Sequence, residues 1–119
     1  MIRNAKGLTE ALKEIEEMRK TDLPRLQAVD IRRMNVDWVE AIQIPFMLDV
    51  AEMIARSALF REESRGCQYR DDFPEVDNAN WLCHTLLKKE AGAMKLSKVP
   101  VVMTMYKPPS RIGEAPVPV

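Results

Sequence analysis

Glycine, cysteine and histidine are all scarce in this chain of 119 residues, and each scarcity excludes a class of function. The four glycines are too widely separated to form a glycine-rich dinucleotide or phosphate loop. Cys67 and Cys83 lack the CxxC spacing, and a single histidine cannot complete a common zinc site with them. We therefore expect two free thiols, no metal site and no cofactor held by this chain alone.

An excess of one charge sign and a long apolar run are also missing. Lysine and arginine total 18, as do aspartate and glutamate, so no net charge attracts nucleic acid or an anionic membrane. Residues 1–9 have no apolar segment of the signal-peptide type, and Asp49, Glu52 and Arg56 interrupt the most apolar part of the chain. These features predict a cytoplasmic chain without a transmembrane helix.

Two segments have the pattern of α-helices. Apolar residues at helical spacing from Leu8 to Met18 predict a first helix of about fifteen residues. Pro24 should end the helical winding, because proline donates no backbone hydrogen bond and disfavours helical geometry in the residue before it. Residues 36–60 predict a second, longer helix that Asn35 or Asp37 can cap.

The second helix is too apolar to have only one covered face. Seventeen of its 25 residues are apolar, so we expect neighbours on more than one side. The single short helix before it cannot supply that cover. The pattern therefore indicates an incomplete core, completed by another chain or by a preceding segment.

The region after Pro74 has a different pattern. Turn-forming residues precede two short apolar runs, residues 82–87 and 99–106, with Gly92 between them. Two interpretations stay open: a β-hairpin formed by the two runs, and a short helix over residues 78–89. Residues 108–119 contain four of the eight prolines and predict an extended, mobile tail.

Residues 61–74 are an unusually charged segment. Three arginines and four acidic residues lie within residues 61–72, directly after the predicted second helix. Arginine can bind a carboxylate through two parallel hydrogen bonds, and Gly66 can adopt the left-handed backbone that often ends a helix. Composition alone favours a solvated helix end with weak surface ion pairs.

The order of these residues is more specific than their composition. The chain resembles the C-terminal region of the succinate dehydrogenase and fumarate reductase flavoprotein family, to which L-aspartate oxidase is also similar, through Arg61-x-Glu63-Ser64-Arg65-Gly66, Arg70-x-Asp72-Phe73-Pro74, Asn80-Trp81 and His84-Thr85. Two upstream segments resemble the helices that precede this motif in the family: Leu8-x-x-Ala11-Leu12-x-x-Ile15 and Met47-Leu48-x-x-Ala51-x-x-Ile54-Ala55. The resemblance covers most of this chain but only the last part of the family's chain.

The resemblance implies an all-α fold class. It implies a small up-and-down helical bundle, similar to a spectrin repeat, followed by an irregular segment with a short β-hairpin. Family members usually begin this bundle with one more helix, so the bundle is expected to lack its first helix. We expect three parts: a helical bundle over residues 1–74, an irregular segment over residues 75–107 and a flexible tail over residues 108–119.

The functional implication is a part of an FAD-dependent oxidoreductase of dicarboxylates, as a fragment or a split subunit. The family's FAD-binding fold and catalytic groups lie upstream, so the resemblance assigns no catalytic, cofactor-binding or metal-binding residue to this chain. The implied partners are the FAD-binding domain, in the same or a neighbouring chain, and an iron-sulfur subunit. The implied location is cytoplasmic, or peripheral at the inner face of a membrane through partner subunits.

For the charged region, the resemblance implies a structural and interface role. We expect an ion-pair network that fixes the bundle against the FAD-binding domain. A stand-alone helical interaction module is the alternative, and an isolated fragment with exposed apolar surface should self-associate. The residues assigned to the structural and interface motif are Arg61, Glu63, Ser64, Arg65, Gly66, Arg70, Asp72, Pro74, Trp81 and His84.

Overall fold

Two antiparallel helices and a β-hairpin form the main body of the protein. The computed structural model describes residues 2–108 together with the backbone of residues 117 and 118. Its helices are α1 (Ala5–Glu17), α2 (Val36–Phe60) and the short α3 (Asn78–Trp81). Its strands are β1 (Ile2–Arg3), β2 (Tyr69–Arg70), β3 (Cys83–Glu90), β4 (Ala93–Pro100), β5 (Tyr106–Lys107) and β6 (Val117–Pro118).

An asparagine caps the start of each long helix. The Asn4 Oδ1 accepts a hydrogen bond of 2.8 Å from the Gly7 N–H, and the Asn35 Oδ1 accepts one of 2.8 Å from the Trp38 N–H. α2 occupies the whole range predicted from the sequence and continues through Pro45. The prediction of a long central helix is confirmed.

The winding after α1 departs from the prediction at Pro24. It continues as a π turn over Met18–Asp22 and a 3-10 turn over Leu23–Arg25. Leu23, the residue before the proline, keeps helical angles of φ −57° and ψ −40°. The expected stop at Pro24 is therefore wrong, because proline is tolerated in the first positions of a new helical turn.

α1 packs against one face of α2. Leu8 on α1 and the small residues Ala55 and Ala58 on α2 are buried. The cover expected over α2 is incomplete among the described residues, since Val50 and, beside α1, Ile54 remain exposed. The apolar excess of α2 therefore forms surface.

The hairpin prediction is confirmed, and its second strand is corrected. β3 and β4 pair over eight positions, from Cys83 opposite Pro100 to Glu90 opposite Ala93. The two-residue turn between them has positive φ at both positions, as in a type I′ turn. The second strand is therefore β4 and not the predicted run 99–106, because this tight turn fixes the register. The alternative helix over residues 78–89 forms only in its first four residues, as α3.

The all-α class is not confirmed, because the hairpin alone holds two strands of eight residues. Two small sheets are added by the parallel pairing of β1 with β2 and the antiparallel pairing of β5 with β6. Of the predicted mobile tail, residues 109–116 and 119 lie outside the described residues. In the part of the chain that the structure describes, no helix is long and apolar enough to cross a bilayer.

Candidate functional site

The charged turn, residues 61–74, folds back over the end of α2. Its reversal is made at Gly66, whose φ of +58° is a left-handed conformation that glycine adopts without strain. The Arg65 and Gln68 backbones bind each other across the reversal, through N–H to oxygen distances of 2.9 and 3.1 Å. The reversal returns the chain to β2, beside the C-terminus of α2.

Arg70 caps the C-terminus of α2 from the inside of the turn. Its side chain is 1 % exposed, and its Nη1 donates hydrogen bonds to the carbonyl oxygens of Ala58, Leu59 and Arg61 at 2.9, 3.1 and 3.1 Å. Carbonyls at a helix end have no partner within the helix, and the helix dipole places negative charge there. A guanidinium satisfies both requirements.

The same guanidinium connects α2 to α1 through Asp72. Its Nε and Nη2 donate to the two Asp72 carboxylate oxygens at 2.7 and 2.6 Å. Asp72 in turn accepts a hydrogen bond of 2.9 Å from the Ala5 N–H in the first turn of α1. The hydrogen bond from Arg70, opposed by partial desolvation and supported by the Ala5 N–H, lowers the pKa of Asp72 to about 2.

Glu63 is the second centre of the turn and is fully buried. Its carboxylate accepts hydrogen bonds from the Arg61 Nη1, from the Arg65 Nε and Nη2 at 2.8 and 3.0 Å, and from the Asp77 N–H at 3.0 Å. Burial alone raises the pKa of this carboxyl, but the hydrogen bonds from Arg65, Asp77 and Arg61 outweigh it and lower the pKa. Glu63 is therefore a charged group with its hydrogen-bonding needs met inside the domain.

Arg61 and Trp81 join the turn to the hairpin. Arg61 donates to the carbonyl oxygens of Trp81, at 3.0 Å, and of Cys83. Its guanidinium carbon lies 5.5 Å from the centre of the Trp81 ring, and the Phe60 ring meets Trp81 edge-on at 5.6 Å. Lys98 of β4 covers the same indole, with Nζ 3.3 Å from its centre.

Ser64 holds the returning strand against the turn. Its buried Oγ accepts a hydrogen bond of 2.8 Å from the Arg70 N–H and donates one of 2.8 Å to the Phe73 carbonyl oxygen. The Ser64 N–H donates to the Glu75 carbonyl oxygen at 3.1 Å. Ser64 therefore positions Arg70 through its backbone.

One of the ten residues assigned from the sequence lies apart from these contacts, since Pro74 is exposed just after the turn. His84 is exposed on β3, opposite Val99, and lines a cleft of about 440 Å³ together with Arg61, Arg65 and Trp81. The structure therefore brings nine of the ten together at the end of α2. The sequence assignment missed Asp77, whose position before a short helix is a readable N-cap signal, and Lys98, whose contact with Trp81 depends on the hairpin register.

The arrangement can hold a fold together but offers little for catalysis. The charged groups of Arg61, Glu63, Arg70 and Asp72 all have partners inside the domain. Within the described residues, no group of three histidine, cysteine or acidic side chains could hold a metal. Cys67 and Cys83 are free thiols, as expected.

The chain matches one family of known proteins. The family described as the C-terminal region of fumarate reductase flavoproteins matches residues 1–112. The fumarate reductase flavoprotein subunit of Mycobacterium tuberculosis is 34 % identical over 111 residues, which cover 92 % of this chain and 19 % of the relative. The succinate dehydrogenase flavoprotein subunit of Rickettsia conorii is 41 % identical over 71 residues, covering 59 % of this chain and 12 % of the relative.

Solved structures extend this likeness to the backbone. The flavoprotein chain of Escherichia coli quinol fumarate reductase superposes with a TM-score of 0.78 at 30 % identity, over 96 % of this chain and 20 % of that chain. An adenosine-5-phosphosulfate reductase superposes with a TM-score of 0.76 at 31 % identity, over 86 % of this chain and 16 % of that chain. The chain thus spans about a fifth of the length of the fumarate reductase relatives it matches.

Proposed function

Since the chain belongs to the family of fumarate reductase flavoprotein C-terminal domains, we propose that it is a structural part of an FAD-dependent dicarboxylate oxidoreductase and performs no catalysis by itself. The observation that supports this best is the inward direction of its charges. Arg70 binds helix carbonyls and Asp72, and Glu63 accepts hydrogen bonds from two arginines and a backbone N–H, so neither side chain faces a cleft. Groups in such contacts fix a structure and are not available to a substrate.

The charged turn fastens three elements of one domain. Through Arg70 and Asp72 it joins the C-terminus of α2 to the N-terminus of α1. Through Arg61 it joins both to the hairpin. We propose that this turn supports docking to an FAD-binding domain indirectly, by holding the domain rigid, because two of its main ion-pairing groups are buried within the chain itself.

FAD belongs, in this proposal, to the rest of the flavoprotein. The residues present do not fit the cofactor: the N-terminus of α2 is capped by Asn35, and that of α1 by Asn4 and Asp72. Both helix starts are therefore occupied, and the chain has no glycine-rich phosphate loop. We derive no step through FAD from this chain.

The substrate class is proposed from the relatives of this chain and not from its own residues. Relatives of this chain include proteins named fumarate reductase, succinate dehydrogenase and adenosine-5-phosphosulfate reductase. A domain shape common to proteins with such different names does not select the substrate. We propose a dicarboxylate from the sequence relatives, and the substrate-selecting residues lie elsewhere in the flavoprotein.

A groove between α1 and α2 supports the proposal that the bundle lacks its first helix. The groove has a volume of about 560 Å³. Its lining is apolar and mostly small along both helices, with Gly7, Ala11 and Ile15 facing Ala51 and Ile54. Small residues let a third helix approach closely, and the groove runs between two helices as a bundle requires. We propose that a helix of the flavoprotein fills it.

The remaining proposals concern organisation and partners. We propose that residues 1–74 form the bundle, that residues 75–107 form a segment carried on it, and that residues 108–119 form a tail. The FAD-binding domain is the direct partner, and an iron-sulfur subunit is a partner of the assembled flavoprotein. The assembly would then lie in the cytoplasm or at the inner face of a membrane through other subunits.

A chimera tests the proposed function. The 111 matched residues of the M. tuberculosis subunit are replaced by those of this chain, and FAD retention is measured by absorbance after size-exclusion chromatography. We expect the chimera to hold as much FAD as the parent, and the same subunit without the matched segment to lose it. A soluble chimera with no more FAD than the deletion variant would contradict the proposal, and so would FAD binding by the isolated chain.

The stand-alone interaction module is the second candidate, because the chain exposes much apolar surface. It predicts that the chimera fails to hold FAD while the isolated chain remains folded by circular dichroism.

A further inference from the structure

The link before α2 and the first half of that helix carry the largest group of exposed apolar side chains. We call residues 26–46 the apolar lobe; it consists of the irregular link 26–35 and the first eleven residues of α2. Nine large apolar side chains in it are between 40 and 92 % exposed: Leu26, Val29, Ile31, Met34, Val36, Trp38, Val39, Ile42 and Phe46.

The apolar lobe extends beyond the reach of α1. Arg19, just past the end of α1, binds Asp49 at 2.6 Å and Glu52 at 3.3 Å on α2. The part of α2 before this point, from Val36 to Phe46, continues for about 15 Å at 1.5 Å per residue. Among the described residues, the irregular link lies beside this length of helix, in a cleft lined by Val29, Ile31 and Trp38.

Met34 is the clearest sign that the lobe meets another surface. It is the most exposed of these side chains, at 92 %, and its φ of 52° is a left-handed conformation that is strained in a residue with a side chain. Neither the exposure nor the strain stabilises the isolated chain. Strained residues of this kind cluster at functional sites, where the surroundings compensate the cost.

The area of the lobe matches a protein interface. Nine side chains with these exposures present on the order of 1,000 Å². The largest apolar patch on a typical monomer is about 300 to 600 Å², and one partner of a standard interface buries about 800 Å². Exposed charges of both signs lie within or next to this segment of the sequence, three arginines and four acids: Arg25, Arg32, Arg33, Asp22, Asp30, Asp37 and Glu40. Exposed apolar side chains that include tryptophan, in a segment with charges of both signs, are typical of a protein contact.

The part of the relatives that this chain does not match indicates what covers the lobe. About four-fifths of each fumarate reductase relative lies outside the matched segment. A folded partner of that size can supply a broad apolar surface, whereas an anionic membrane would require a cluster of positive charge, and the exposed charges of this segment are mixed in sign. We propose that the apolar lobe is the surface through which this chain packs against the FAD-binding part of the flavoprotein, with Met34, Trp38 and Phe46 as its main anchors.

This inference rests on the proposed function, and methionine oxidation tests it separately. The isolated chain and the FAD-containing chimera are treated with dilute hydrogen peroxide, and oxidation of each methionine is followed by mass spectrometry. The isolated chain is kept below the concentration at which light scattering first shows association. Met34 should oxidise at least about tenfold more slowly in the chimera, because interface anchors are desolvated. Met105, which is 72 % exposed outside the lobe, is the matched control.

Each outcome has a distinct meaning. A chimera that holds FAD while Met34 oxidises as fast as in the isolated chain would overturn the inference and leave the proposed function standing. Equal protection of Met105 and Met34 would also overturn the assignment to the lobe. Protection of Met34 that grows with the concentration of the isolated chain, without protection in the chimera, would assign the lobe to a second copy. Failure of the chimera to hold FAD would count against the proposed function and, with it, against this inference.

A pair of variants gives a second test. Trp38→Asp and Phe46→Asp replace exposed side chains, so both isolated variants should keep the helical circular dichroism of the parent. In the chimera, each variant should lower the FAD content or increase the rate of limited proteolysis at the junction between this domain and the rest of the subunit. Val102→Asp, at a more exposed apolar site outside the lobe, should do neither. Unchanged docking by both lobe variants would contradict the inference.

Discussion

The Arg70 guanidinium has two roles at once: it caps the C-terminus of α2 and it links α2 to α1 through Asp72. One nitrogen serves the open carbonyls of α2, and the other two hold Asp72 against the start of α1. A lysine could supply the charge but not both sets of directed hydrogen bonds, because its single nitrogen lacks the planar fork. The two helix ends are therefore coupled through one side chain.

Replacing Arg70 should destabilise the domain strongly. Arg70→Ala leaves three helix carbonyls and the Asp72 carboxylate without their partner, and we expect a loss of about 3 kcal/mol in the free energy of unfolding. Arg70→Lys should fall between this variant and the parent. Urea unfolding followed by circular dichroism measures the difference. Arg25→Ala is the matched control, since Arg25 is exposed, and it should cost less than about 0.5 kcal/mol. Equal stability of Arg70→Ala and Arg25→Ala would show that the cap is not structural.

The depressed pKa of Asp72 predicts how stability depends on pH. The folded chain holds this carboxyl at a pKa of about 2, against an ordinary 3.8, so the folded state binds its proton more weakly than the unfolded state. The stabilisation is therefore complete above about pH 4 and is lost as the pH falls toward 2. Asp72→Asn should reduce the slope of the unfolding midpoint in this range. Glu63 and Asp77, whose pKa values are also lowered, should leave part of the slope in place. An unchanged slope in Asp72→Asn would contradict this assignment.

For single residues, the sequence predicted which residue types interact in the turn better than it predicted how buried each of them is. Seven charges in twelve residues indicated ion pairs near a helix end. It did not indicate that Glu63 and Arg70 are the most buried of them, because their burial depends on the return of the chain beside α2 and on the distant backbone of Asp77. These two buried side chains are therefore not available for direct contact with another domain.

Single elements were predictable where their signals are local. The bounds of α2 followed from an asparagine cap and an apolar run, both of which act within a few residues. The register of the hairpin did not follow, because the apolar run after Val99 was a stronger signal than the two-residue turn at Ala91 and Gly92. Ala91-Gly92 is a weaker turn signal than Asn-Gly, because alanine adopts the positive φ that this turn requires less readily than asparagine does.

Ala91 offers a direct test of that turn. Its φ of 50° is unfavourable for alanine and well tolerated by asparagine. Ala91→Asn should therefore stabilise the domain by about 0.5 to 1 kcal/mol, measured as an increase in the urea midpoint. Ala93→Asn, two residues later in β4, is the control and should stabilise nothing, since asparagine is depleted in strands. A gain in the control and none at Ala91 would show that the register is different.

The accessible surface of the whole molecule is larger than that of a compact monomer of the same mass. Its accessible area is 9421 Å², whereas a compact monomer of 13.7 kDa exposes roughly 6,600 Å². The sequence predicted this incompleteness from the apolar excess of α2. It could not predict which surfaces remain open, because the positions of α1 and of the irregular link along α2 are set by long-range contacts such as Arg19 with Asp49.

An isolated chain with this much open apolar surface should self-associate. We expect dimers or larger species by light scattering at raised protein concentration, and a lower tendency in Trp38→Asp because tryptophan is the largest exposed side chain of the apolar lobe. Val102→Asp should associate as the parent does. A monomer at every concentration would contradict this expectation.

If this chain supports a flavoenzyme without contributing to its chemistry, turnover per bound FAD should not depend on the charged turn. Turnover of fumarate per bound FAD is compared between the chimera and its Arg65→Ala variant, since Arg65, a charged residue of the turn, remains partly exposed. The variant should lose stability or FAD content, while turnover per bound FAD stays within about twofold. A variant with full FAD content, unchanged melting temperature and abolished turnover would contradict a purely supporting role.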